Sequence, residues 1–371
     1  MSDILDYLDW RGDLPFSVAP FNEIDNLIFT QLCFLDLTGI VPSEPSFPGL
    51  RFEKAVESYF ILHPPKTTSL GAVIPSDIHL LAQKAAAGRR FCDICVTGYV
   101  NSVDCQEEKQ FSATTYLLGD GTAYVAFRGT DDTLIGWKED FNMAFKSEIP
   151  AQKAAACYLN DVLHTLPHLI RVGGHSKGGN LAIYAAVQAD EGLSGRICDI
   201  YSNDGPGFSS DLLRSPAYLA LKSRVHSIVP ESSIVGMLLN HEENYKVVKS
   251  NAKGLFQHDG FSWQLLGTSF CTISDRSEES KHIDKTLKTW LATMDDEQRE
   301  QFVDALYSVL AGTNAQTVSE LSADRRSILT SFFSMDPATR EFLWKTIVQL
   351  INTANRVRKD RGGMRQEGSP K

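Results

Sequence analysis

Hydrophobic and polar positions change their spacing three times along this chain. Up to about residue 110 apolar residues come in mixed stretches broken by proline: one runs from Phe21 to Leu37 and ends at Pro42, Pro45 and Pro48. A second, Ala-rich and opened by Asp77, predicts a helix to Ala87 that Gly88 stops. From Phe111 the pattern shortens to apolar and β-branched runs. Residues 114–118 and 123–127, joined through Asp120-Gly121, predict a hairpin. Residues 151–163 then read as helix, 169–173 as strand, 181–189 as helix, and 196–201, 224–229 and 245–248 as strands. Helical segments between most of these strands predict a mainly parallel sheet covered on both faces.

Beyond Ser280 the period becomes helical, with one stripe of Phe302, Leu306, Val309 and Leu310 and another of Leu343, Ile347, Val348 and Ile351. Asp336-Pro337 marks the start of the second helix. From Arg356 the chain is rich in Arg, Lys and Gly and reads as a solvated end. The predicted organisation is an α/β protein with an N-terminal extension (1–110) packed on a sheet core (111–280), a helical C-terminal region (281–360) and a disordered tail (361–371).

Charge and composition narrow the function. A formal net charge of −10 over 371 residues disfavours binding to a phosphate backbone, so no nucleic-acid partner is expected. No uncharged apolar run is long enough to span a bilayer, and Met1 to Asp6 lacks a basic-then-apolar leader. A cytoplasmic protein without stable membrane insertion is expected. Seven cysteines without framework spacing fit a reducing compartment. Cys92-Asp93-Ile94-Cys95 has metal-ligand spacing but no second pair to complete a tetrahedral site, so no metal is expected.

The candidate chemistry centres on Gly174-His175-Ser176-Lys177-Gly178. By itself a GxSxG run arises by chance in roughly one chain of this size in ten. Here a strand leads into it and a helix of small and apolar residues leaves it, the setting of a nucleophile elbow. The turn must be tight enough to strain the serine backbone, and flanking glycines remove the clashes this creates. Ser176 is the candidate nucleophile, and the backbone N–H of Lys177, at the helix N-terminus, a candidate oxyanion donor. A second donor is expected from Thr130, which follows the strand ending Phe127-Arg128-Gly129.

Serine needs a histidine base, itself oriented by a carboxylate. Four histidines follow Ser176. His226 lies in a strand, His241 in a charged turn with Glu242 and Glu243, and His282 opens the helical region; His258 occupies the loop after the last core strand. His258 is the expected base, and His175 is expected to pack away from the substrate. Two carboxylates follow later strands in the right order: Asp204, on a Gly-Pro-Gly turn that would fix it firmly, is preferred, with Glu231 the alternative.

Phe127-Arg128-Gly129-Thr130, Trp137, Asp140 and the run Gly174 to Asn180 resemble the signature blocks of class 3 lipases. The residues 5–13 and 21–28, Asp204-Gly205-Pro206-Gly207-Phe208, Ser233 to Leu239 and Gln257-His258-Asp259 resemble a bacterial lipase-like family defined only as a domain of unknown function. The resemblance implies an α/β-hydrolase fold, a Ser-His-acid site and no cofactor. It points to an esterase acting on a small-molecule or lipid ester. Lys177 departs from the leucine of class 3 lipases: a cation beside the oxyanion would suit an anionic substrate, unless the side chain snorkels to solvent. The rival reading is a binding protein that keeps the fold without the chemistry. Oligomeric state is not legible.

Overall fold

The computed structural model describes residues 2–64, 70–71, 74–143, 145–241, 244–313, 315–323 and 325–367. Glu242 and Glu243 of the charged turn and residues 368–371 of the expected tail lie outside them. The N-terminal part holds α1 (Ile4–Arg11), α2 (Glu23–Leu32), β1 (Leu50–Arg51), α3 (Phe52–Leu62) and α4 (Asp77–Ala87). The strands β2 (Cys95–Asp104), β3 (Lys109–Leu117) and β4 (Thr122–Phe127) follow, then α5 (Leu134–Asn142) and α6 (Pro150–Thr165). After them come β5 (Leu169–His175), α7 (Lys177–Val187), β6 (Ile197–Asn203), α8 (Ser210–Leu213), α9 (Pro216–Leu221), β7 (Val225–Pro230) and β8 (Tyr245–Val248). Three two-residue strands, β9 (Leu265–Leu266), β10 (Ser269–Phe270) and β11 (Thr272–Ile273), precede α10 (Glu278–Leu291) and α11 (Asp296–Ala311). The chain ends in α12 (Val318–Ala323), α13 (Arg325–Ser334) and α14 (Pro337–Glu367).

Nine strands form one sheet in the order β1-β2-β3-β4-β5-β6-β7-β8-β11. From β4 to β8 every neighbour is parallel; helices make the crossovers as far as β7, and the described residues between β7 and β8 hold only a 3-10 turn, Val235–Met237. β2, β3 and β4, joined by short turns, pair antiparallel, and the edge strands β1 and β11 pair antiparallel with β2 and β8. The sheet is therefore mixed rather than mainly parallel, and β1 and β2 lie within residues read as an extension. Gly98, at φ +63, interrupts β2 where its register with β3 shifts between Thr97 and Val100, which hides the strand's alternation.

The two faces of the sheet carry separate cores. Along β4, Tyr124 and Ala126 pack with α1, α2, α3 and α4, while Ala123, Val125 and Phe127 pack with α6 and α7. This is the period of two expected of a strand buried on both sides. Under the first face, Arg90 and Asp25 form a fully buried bidentate pair at 2.7 and 2.6 Å. Arg90 also donates to the Leu14, Ala19 and Pro20 carbonyls, so the N-terminal segment is tied down rather than loosely appended.

In the helical region Leu343 and Ile347 pack against Val309 and Phe302, but Ile351 of the second stripe is exposed. Thr339 N donates to Asp336, the expected cap of α14. That helix continues to Glu367, through most of the stretch expected to be a disordered tail, since from Arg356 to Glu367 only Gly362-Gly363 opposes helix formation. Among the described residues no helix is long and apolar enough to cross a membrane.

Candidate active site

Ser176 sits between the end of β5 and the first residue of α7 with φ 58° and ψ −131°, a conformation costing on the order of 1–3 kcal/mol. Its surroundings enforce the turn. A Cβ on Gly174 would lie 2.0 Å from the Gly178 carbonyl carbon, and one on Gly178 2.1 Å from the Phe127 oxygen. Both flanking glycines are thus required by close backbone approach. The Ser176 N–H donates to Asn203 O at 2.9 Å. Asn203 Nδ2 donates to Gly174 O, and Asn26 Nδ2 from α2 donates to Asn203 Oδ1 at 2.9 Å. The Phe21 to Ile28 block therefore braces the elbow from beneath.

His258 ends a 3-10 turn, Gly254–His258, and its Nδ1 lies 2.6 Å from Asp204 Oδ2. Asp204 is fully buried, at φ 51°, and its Oδ1 accepts the Ser233 hydroxyl at 2.5 Å. The carboxylate is thus held by both oxygens. Glu231 is half-buried; its N–H donates to Val248 and its carbonyl accepts from Ser277, but its carboxylate contacts no histidine. His226 pairs with Asp199, and His282 lies in α10. His175 donates Nε2–H to the His258 carbonyl at 2.7 Å, with the two rings 4.6 Å apart. Burial pushes the His175 pKa down to about 3, so it stays neutral and acts as a prop for the His258 loop. Among the described residues Ser176 Oγ and His258 Nε2 share no hydrogen bond and neither has another side-chain or backbone partner.

Two features of this arrangement carry weak sequence signals. Ser233 looks like any serine after a strand. Gly236 looks like an ordinary turn glycine, yet a Cβ there would lie 2.2 Å from Asp204 Oδ1. Gly236→Ala is expected to displace the carboxylate and lower the turnover of any reaction using His258 by roughly 100-fold, the scale of a 1 Å misplacement. Steady-state kinetics with circular dichroism to verify folding checks this.

On the opposite side of Ser176, Thr130 donates its hydroxyl to Asp140 Oδ2 at 2.5 Å. That hydroxyl is committed to Asp140, and among the described residues the Thr130 N–H has no acceptor. Gly129 packs its loop onto the elbow, since a Cβ on it would lie 2.7 Å from His175 O. The Lys177 N–H, at the first position of α7, likewise lies where no intrahelical acceptor exists. Burial pushes the Asp140 carboxyl up to about 6 against the opposing pull of Lys177 and Thr130, although 31% of its side chain reaches solvent.

The Lys177 side chain overturns both expectations for it. It neither snorkels nor offers a free cation: it is 1% exposed, with Nζ donating to Gln110 O at 2.9 Å, Gln110 Oε1 at 2.6 Å and Glu139 Oε2 at 2.9 Å. Acceptors from β3 and α5, invisible in the local motif, satisfy it inside the protein. Glu139 is completely buried and also accepts the N–H groups of Gln110 and Ala151. Lys177→Met would leave that carboxylate unpaired and is expected to destabilise the fold by about 3–5 kcal/mol, read by urea denaturation. Pairing it with Glu139→Gln is expected to restore part of the loss.

A small cavity of about 60 Å³ opens beside Ser176 and Lys177, with Asp140 on one wall. The rest of its lining is apolar: Met143, Pro206, Val235, Leu238, Leu239 and Leu291. A more open groove of about 430 Å³ near Tyr201, His226 and Lys246 contains no elbow residue. Among the described residues no group of three His, Cys, Asp or Glu is arranged to hold a metal ion. Cys92 and Cys95 are free thiols whose pKa values burial raises.

A family model described as Mbeg1-like matches residues 85–308. Comparison with curated proteins finds no match. Among solved structures the chain is similar to the Rhizomucor miehei lipase propeptide complex, at 16% identity and a TM-score of 0.35, over 68% of this chain and 82% of that one.

Proposed function

The chain belongs to the Mbeg1-like family, a lipase-like family, and from its site we propose that it is a serine hydrolase of the α/β-hydrolase fold that cleaves carboxylic esters in the cytoplasm. The observation that carries the reading is the buried Asp204 carboxylate 2.6 Å from His258 Nδ1, beside an elbow that holds Ser176 at φ 58°. With Nδ1–H committed to Asp204, the lone pair of His258 is on Nε2, the nitrogen without a protein partner. Ser176 Oγ attacks the ester carbonyl carbon while its proton passes to Nε2. The oxyanion that forms is held by the N–H groups of Lys177 and Thr130 and by the N-terminus of α7. Collapse expels the alcohol, which takes the proton from His258. Water then attacks the acyl-enzyme by the same route in reverse roles, giving the acid and free Ser176.

The unmade Ser176–His258 hydrogen bond is what a binding protein on this fold would also show. Enzymes without substrate often show it too, because such bonds tighten in the substrate complex. Covalent labelling by a fluorophosphonate separates the two. Wild-type protein is expected to label in a His258-dependent manner at Ser176, and a folded protein that does not label there would end the hydrolase reading.

A further inference from the structure

The cavity beside Ser176 has the size and roof of a chain-length filter. An apolar cavity of about 150 Å³ accommodates benzene, roughly 25 Å³ per carbon. The approximately 60 Å³ here therefore takes two carbons and falls short of a third. Its mostly apolar lining suits a hydrocarbon, whereas Asp140 within that lining disfavours an anionic group. From the cavity we propose that this is the acyl pocket of a short-chain esterase, accepting acetyl and propionyl groups and excluding medium and long acyl chains. The assignment rests on the serine hydrolase reading and adds the substrate class to it.

The cavity is narrow because its roof is fixed. Gly207 N donates to Leu238 O at 2.9 Å, and Phe208 and Asn240 exchange two backbone hydrogen bonds at 2.9 and 3.2 Å. Between these clamps Leu239 is held at φ 64°, a left-handed conformation unusual for leucine. Gly207 lets the strips meet, for a Cβ there would lie 2.0 Å from Asn240 O. The far wall is Leu291, the last residue of α10, whose carbonyl accepts from Arg299 Nε at 3.1 Å and Nη2 at 2.8 Å. The same helix is pinned to the roof loop by Ser280 Oγ, which donates to Ser233 O. The helical C-terminal region thereby supplies a specificity wall to the site in the sheet domain.

The test is the kcat/KM series for p-nitrophenyl acetate, propionate, butyrate, hexanoate and octanoate. Wild type is expected to prefer propionate or acetate over octanoate by at least about 100-fold, since a pocket rejects surplus methylenes at 10-fold or more. Leu291→Ala is expected to move the optimum toward hexanoate, and Leu291→Phe to move it toward acetate. The two variants change the cavity in opposite directions, so a folding defect in one leaves the other informative. Octanoate turned over as well as propionate, or an unmoved preference in both folded variants, overturns the assignment while the hydrolase reading stands. Turnover of no ester together with absent phosphonate labelling overturns that reading, and the chain-length assignment with it.

Discussion

Ser176→Ala is expected to abolish phosphonate labelling and to reduce ester hydrolysis by on the order of 10⁶-fold, the loss seen when the nucleophile of an interdependent triad is removed. The argument is one of atoms: alanine retains the Cβ that occupies the elbow but has no oxygen to attack or proton to give. Since Ala also inherits the unusual φ of 58°, the variant should remain folded with a similar melting temperature, and the kinetic loss should not be confounded by unfolding. Some acceleration over water should survive, because the Lys177 and Thr130 N–H groups do not depend on the hydroxyl. Burst-phase kinetics gives the sharper measurement: wild type should release one equivalent of alcohol ahead of steady turnover wherever deacylation is slower, and the variant none. Full activity in Ser176→Ala would require a different nucleophile.

How far the site could be read from the chain depended on whether each constraint was local. Ser176 stands in a run where strand, glycines and helix follow one another, so the turn leaves its mark on adjacent positions. The parallel run from β4 to β7 was legible for the same reason: a helix stands between each strand and the next. The pairing of Asp204 with His258 spans 54 residues, and no pattern chose Asp204 over Glu231 beyond the firmness of its turn. What decided the geometry was a hydroxyl 29 residues further on, Ser233, and the space left by Gly236. Lys177 was misread because its partners, Gln110 and Glu139, come from elements that only the fold brings under α7. Likewise β2 was missed where the bulge at Gly98 breaks the alternation that betrays a strand.

Asp204→Asn is expected to lower kcat at neutral pH by about 10⁴-fold, through the tautomer of His258 rather than through lost packing. Asparagine is isosteric with aspartate, so it will occupy the same buried cradle. Within it the amide can present its NH₂ to His258 Nδ1 while its carbonyl oxygen accepts from the Ser233 hydroxyl, which donates to Oδ1 in the wild type. Nδ1 must then accept, which places the ring proton on Nε2 and leaves no lone pair to take the Ser176 proton. Glu231→Gln, whose carboxylate touches no histidine, is expected to stay within about twofold of wild type, a difference of a few tenths of a kcal/mol. The reverse ranking, Glu231→Gln crippled and Asp204→Asn active, would move the orienting role to Glu231.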